Sequence, residues 1–256
     1  MIAFFLFWLI QNYIKMLATT NSNDIDIMTP VPQGGASLMI AFRCHRKSVL
    51  VVGYDEIAAS RVLSALEADA QVTIVGPLDC MCKELIYRIQ NNQVEWAGET
   101  FEEEQLIGNH LVFVTRSDDI QLCQYISHAC CARRIPVNVA NQKDLSDFDM
   151  TCSYRDQSLQ VAVSTNGLSS VNLANRILQS KISATLEPSL GDAVKNAGLL
   201  RRGVEALDPG SSSSLRRYQW LTHICDTKTL EQMSALSKTD IEGLLASYTK
   251  DDLHHL

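Results

Sequence analysis

An apolar strand, a glycine, a helical stretch and a second apolar strand follow one another from Ser48 to Val75, and few architectures accommodate that succession. Ser48–Val52 (SVLVV) is a short apolar run of β type. Gly53 breaks it. Ile57–Ala68 has the composition of a helix, with Val62, Leu63 and Leu66 available for one face, and Gln71–Val75 (QVTIV) is the next strand, closed by Gly76-Pro77. A strand, helix and strand within about thirty residues make a βαβ unit, whose strands pair in parallel. Further strands are predicted at Val94–Ala97, Leu111–Thr115 and Pro136–Ala140, with helices over Cys82–Gln90 and Ile120–Arg134. The expected fold class is α/β, beginning with a Rossmann-like parallel sheet.

After Phe148 the texture changes. Ser158–Ser164 (SLQVAVS) reads as a strand with Thr151–Tyr154 as its hairpin partner, and a helix is predicted from Ser169 or Ser170 to about Gln179. Pro188 suits the first turn of a helix running through Leu199-Leu200 to Val204. Asp208-Pro209-Gly210 and the serines 211–214 read as a linker before two or three short helices. The expected organisation is an extension over 1–33, a Rossmann-like domain over 34–148, a small α+β region over 149–183 and a helical domain over 184–256.

A net charge of -7 argues against a nucleic-acid binder, because neutralising phosphates needs a basic surface. The eight cysteines match neither a zinc ribbon nor a secreted disulfide framework. They read as reduced thiols of a cytoplasmic protein, with metal binding by Cys80 and Cys82 the minor alternative. No metal site is assigned. Residues 2–10 (IAFFLFWLI) are apolar, but a membrane span needs about 20 such residues. Extending the run to Leu17 takes in Gln11, Asn12 and Lys15. An interfacial anchor, a targeting segment and a nonessential extension all stay open; the last is favoured over membrane contact through residues 2–17.

The turn after the first strand decides how a dinucleotide would bind. A G-x-G-x-x-G fingerprint gives a tight turn, close approach to pyrophosphate and helix–sheet packing. Here the segment is Gly53-Tyr54-Asp55-Glu56-Ile57-Ala58. Gly53 and Ala58 fit, while Asp55 brings a side chain and a charge where the close-approach glycine stands. Like charges ~4 Å apart repel by ~1 kcal/mol in water and ~4 kcal/mol at an intermediate dielectric. No acidic residue ends the second strand to hold a ribose; Asp79 lies just beyond.

Four further blocks, in order, carry a resemblance. They are Ile135–Ala140 (IPVNVA), Lys143–Phe148 (KDLSDF), Val161–Ser169 (VAVSTNGLS), and Leu190–Val194 (LGDAV) with Gly198–Arg201 (GLLR). With Arg61 and Pro77 upstream, the chain resembles the siroheme-synthase family, and in particular the fungal-type precorrin-2 dehydrogenase and sirohydrochlorin ferrochelatase. The resemblance implies oxidation of precorrin-2 to sirohydrochlorin with NAD, ferrous iron as a substrate for insertion, and a role in sulfur or nitrogen assimilation. It also implies a homodimer, with 149–183 as the dimerisation region, and a tetrapyrrole in a cleft beside the nicotinamide. The residues implied for the cofactor are Gly53, Tyr54, Asp55, Glu56, Ile57 and Thr115. Those implied for the tetrapyrrole are Ser164, Thr165, Asn166 and Gly167, whose other role is to cap the following helix.

The family's acid/base aspartate falls at Asn141, and an amide cannot serve as a base near neutral pH. Asp144 is the nearby candidate to replace it, whereas Asp147 reads as structural. His110, His128 and His223 read as packed or surface residues before catalytic ones. Gln142-Lys143 and Ser170 also depart from the family, which favours proline near these places. The resemblance to the family favours an enzyme, while Asp55 and Asn141 read against activity. The alternative is a family member impaired at Asp55 and Asn141 that binds tetrapyrrole or pairs with a partner.

Overall fold

The computed structural model describes residues 34–116, 118–166, 171–186 and 189–248. The apolar N-terminal run, Gly167, the predicted helix start at Ser169 or Ser170, and Pro188 lie outside the described residues. Residues 34–38 are exposed and without regular structure, and every helix and strand of the described residues falls after Leu38.

The parallel sheet forms as expected. Its strands are β1 (Ser48–Val52), β2 (Gln71–Val75), β3 (Glu95–Trp96), β4 (Asn109–Val114) and β5 (Val137–Val139), in the order β3-β2-β1-β4-β5. Helices α1 (Glu56–Glu67), α2 (Lys83–Gln90) and α3 (Ile120–Arg133) cover it. The apolar run of β1 serves two cores at once. Val49 and Val51 join a cluster with α1 and α2, while Leu50 and Val52 join one with α3. Period-two alternation therefore sends successive residues of one strand to opposite faces, both apolar. The same division splits Leu111 and Phe113 from Val112 and Val114 in β4.

Helix α1 buries Ala58, Ala59, Val62 and Ala65, while Leu63 is 40% exposed. The expected face through Leu63 is thus rotated: the small alanines lie against the sheet and let the helix approach closely. Asp119 caps α3 by accepting the Leu122 N–H at 2.9 Å. Arg134 ends that helix in the left-handed region, φ 57°.

Strands β6 (Cys152–Asp156) and β7 (Leu159–Val163) form a separate antiparallel hairpin, turned at Gln157 with φ 48°. Helix α4 (Val171–Ile177) follows and continues into a wider turn over Leu178–Ile182. Helix α5 (Leu190–Leu207) then starts against the hairpin: the Gly191 N–H donates to Asp156 Oδ2 at 2.8 Å. A Cβ at Gly191 would lie 2.2 Å from the Asp156 carbonyl oxygen, so only glycine permits this approach.

The serines after Gly210 are not a linker. Ser211–Ser213 make one tight turn, and Ser214 begins helix α6 (Ser214–Thr227), with Ser213 buried. The Ser213 N–H donates to the Gly210 carbonyl at 3.1 Å, and Arg217 Nη1 donates to the Asp208 and Gly210 carbonyls at 2.6 and 2.7 Å, so the segment is held by main-chain and arginine bonds that a reading of Ser-rich stretches as flexible overlooks. Helices α7 (Leu230–Ser234) and α8 (Lys238–Ala246) follow, each started by a capping box, Thr229 with Gln232 and Ser237 with Asp240. Their core joins Leu200 and Val204 to Trp220, Ile224, Met233, Ile241 and Tyr248. The buried amide of Asn196 donates to the Met233 and Ser234 carbonyls at 2.9 and 3.2 Å.

Candidate active site

The strand order reverses beside β1, so loops leave the C-terminal edge of β1 and β4 in different directions and open a crevice between them. A cleft of about 270 Å³ lies there, lined by Gly53, Tyr54, Gly76, Phe101 and Arg116 among others. Its floor is bare backbone at Gly53 and Gly76. Gly53 is held to this role by Thr115, whose Oγ1 would lie 1.9 Å from an added Cβ. Gly76 occupies the end of β2 where many dinucleotide folds carry an acid, and its carbonyl accepts the Trp96 indole N–H at 2.9 Å.

Asp55 does not line the cleft. It is the N-cap of α1, its Oδ1 accepting the Ala58 N–H at 2.8 Å and the Thr115 hydroxyl at 3.0 Å. The repulsion expected between Asp55 and a pyrophosphate is therefore reduced at its source. The carboxylate is turned into the positive end of the helix and carries two hydrogen bonds. Arg61, one and a half turns along α1, adds an attractive charge nearby. Its buried Nε has no hydrogen-bond partner among the described residues, and burial lowers the group's basicity while Asp55 partly restores it. Thr115 is 4% exposed and supports the turn from beneath, and Glu56 and Ile57 are on the exposed side of α1. Of the six residues expected at the cofactor, Gly53 and Tyr54 reach the cleft.

Sequence reasoning missed Arg116. Its guanidinium carbon stands 4.8 Å from the centroid of the Tyr54 ring, and it forms a two-point pair with Asp118 at 3.0 and 3.1 Å. The hydrogen bond from Arg116 pulls Asp118 below the usual carboxylate range. No motif marks Arg116. Its place two residues after β4, on the edge where ligands of such sheets lie, was the available signal.

Beyond β5, Asn141 sits exposed at a turn with φ 60°, a conformation that asparagine and aspartate tolerate. Asp144 follows, exposed, in the short turn Lys143–Leu145. Lys143 Nζ donates to the Asn166 carbonyl at 3.3 Å. That bond brings the Asn141–Asp144 loop beside Ser164, Thr165 and Asn166, where the Ser164 hydroxyl accepts the Asn166 N–H at 3.1 Å. Asp147 proves structural, exchanging bonds with both backbone groups of Val137. His110 accepts the Ser48 N–H through Nδ1, and His128 and His223 are exposed. Among the described residues no three His, Cys, Asp or Glu side chains cluster as a metal site, and no helix is long and apolar enough to cross a membrane.

Comparison with known proteins agrees with this layout. Residues 40–151 match a family model described as "Putative NAD(P)-binding", and residues 188–254 match "Sirohaem biosynthesis protein C-terminal". The siroheme biosynthesis protein met8 of Schizosaccharomyces pombe is 37% identical over 85% of this chain and 82% of its own length. The chain belongs to the siroheme biosynthesis family. The siroheme synthases of Nitrosospira multiformis and Thioalkalivibrio sulfidiphilus are 33% and 35% identical, over 66% and 71% of the chain. The chain spans only 35% and 36% of those longer relatives. A solved structure, "SirC, precorrin-2 dehydrogenase", shares the fold with a TM-score of 0.61 at 22% identity, covering 82% of this chain and 98% of that one. The parallel sheet is thus the NAD(P)-binding domain of a siroheme biosynthesis protein. Its residues fit a dinucleotide, with a glycine floor at the switch point, an aromatic wall at Phe101 and a cation at Arg116.

Proposed function

We propose that this protein oxidises precorrin-2 to sirohydrochlorin with NAD in the cytoplasm, as a homodimer, and that ferrous iron is the substrate of a second, insertion step. One juxtaposition carries the reading. The same edge of the sheet holds a glycine-floored cleft over Gly53 and Gly76 and the β5 loop that Lys143 ties to the Ser164–Asn166 turn. The first suits a dinucleotide and the second a polycarboxylate tetrapyrrole, in a chain of the siroheme biosynthesis family.

NAD, when bound, supplies the hydride acceptor. Gly53, Gly76, Tyr54 and Phe101 hold it and exclude water from the cleft. Ser164, Thr165 and Asn166, with Gly167 by resemblance, position the tetrapyrrole through hydroxyl and amide groups. Asp144 takes the proton released on oxidation, and Asn141 orients by hydrogen bonding, since its amide accepts no proton near neutral pH. A homodimer is supported by the hairpin: two strands alone are marginal in water, and each strand here is only partly covered. Leu173 and Ile177 of α4 add exposed apolar surface, 45% and 37% accessible.

The test is incubation of the purified protein with precorrin-2 and NAD, following the absorbance of sirohydrochlorin and of NADH. Stoichiometric appearance of both is expected, at a mass in solution twice that of the chain. Tetrapyrrole binding without any turnover would replace this reading with that of an impaired binding protein.

A further inference from the structure

The helix end that cradles pyrophosphate in many dinucleotide folds is committed to another anion in this chain. Asp55 takes the Ala58 N–H and places its own charge at the start of α1, so the positive helix end is already partly neutralised. A pyrophosphate over the turn after Gly53 then needs a cation from elsewhere. Among the charged residues lining the cleft, Glu99 and Asp119 are acidic, and Asp119 is already engaged as the cap of α3. Among the described residues that line it Arg116 is the basic one, and it stands over Tyr54, the residue directly after Gly53.

We propose that Arg116 binds the pyrophosphate of the dinucleotide, in place of the helix N-terminus. This rests on the cofactor reading above. The planar guanidinium, its carbon 4.8 Å from the centroid of the Tyr54 ring, carries its N–H groups at its edge, an arrangement suited to bridging two phosphate oxygens. Its present partner does not hold it back. Asp118 is 64% exposed, so water takes the place of Arg116 around its carboxylate when a phosphate takes the guanidinium.

Titration calorimetry with NAD and ADP-ribose, the latter lacking nicotinamide, tests this without reference to turnover. Arg116→Gln is expected to weaken both ligands by about 10-fold to 100-fold, the loss of a charge-assisted bidentate contact. The salt dependence of binding falls in the same variant. Asp118→Asn, which removes the competitor, tightens ADP-ribose by a few-fold. Equal affinity of Arg116→Gln and wild type, an unchanged salt dependence, or weaker binding in Asp118→Asn would each overturn the assignment. Failure of the wild type to bind either ligand would instead overturn the cofactor reading itself. Thermal unfolding of Arg116→Gln within a few degrees of wild type shows that a folded protein is being measured.

Discussion

Replacing Asp55 with alanine removes the acceptor of two interior donors at once. The Ala58 N–H loses its cap at 2.8 Å, and the Thr115 hydroxyl, in a residue 4% exposed, loses its partner at 3.0 Å. Loss of an N-cap costs about 0.5–2 kcal/mol. A buried hydroxyl left without a partner costs about 1–3 kcal/mol. The two share one oxygen and one small region, so they overlap, and a total of about 2–4 kcal/mol is expected. For a chain of this size that lowers the midpoint of thermal unfolding by roughly 4–16 °C. Asp55→Asn keeps an oxygen in the same place and should cost less than about 1 kcal/mol. Urea unfolding followed by far-ultraviolet circular dichroism measures both variants. Asp55→Ala within about 0.5 kcal/mol of wild type, the scatter of neutral surface substitutions, would refute the capping argument. So would an asparagine variant as unstable as the alanine one.

Other outcomes follow from the same geometry. Asn141→Asp restores a carboxylate at the end of β5 and should raise the turnover of precorrin-2 by about 10²-fold or more, whereas adding Asp55→Gly should bring no further gain; steady-state rates decide. Gly191→Ala drives a methyl into the Asp156 carbonyl at 2.2 Å and should destabilise by about 1–3 kcal/mol, read as a shift of the urea midpoint. Burial and then the Asp208 carboxylate push the ionisation of Tyr248 above that of a free tyrosine. Stability from its neutral hydroxyl is thus complete below about pH 10 and lost as pH rises through the raised value. Unfolding free energies measured from pH 9 upward should fall in wild type and fall less steeply in Tyr248→Phe. Burial pushes the Cys130 thiol up to about 12, so native protein at pH 8 should react with a disulfide reagent at exposed Cys80 and Cys131 and spare Cys130, as read by peptide mass.

The sheet was legible because its signal is local and redundant. Strands β1, β2 and β4 are apolar enough to be buried on both faces, and glycines or short turns separate them from helices. Errors arose where packing overrode pattern. Leu63 looks like a core residue but yields to Ala58, Ala59 and Ala65, because closeness of helix to sheet, not side-chain size, set which face turned inward. The serines after Gly210 look like a linker until their place at the start of α6 is known. At the site, position in a motif led to Gly53 and Tyr54, which line the cleft, but gave no sign of where Asp55 turns, which depends on Thr115, 60 residues later. Arg116 was invisible for the converse reason: its partner Tyr54 lies on another strand's loop, and no spacing rule links them.

The bond from Lys143 to residue 166 ends on a main-chain oxygen. A contact of that kind specifies one partner's chemistry and only the other's position. Substitution at 166 can alter what the turn offers to a ligand while the tie persists, but substitution at 143 severs it. Two neighbouring loops therefore carry different mutational freedom: the turn after β7 is open to changes of specificity, and the β5 loop acts as its anchor.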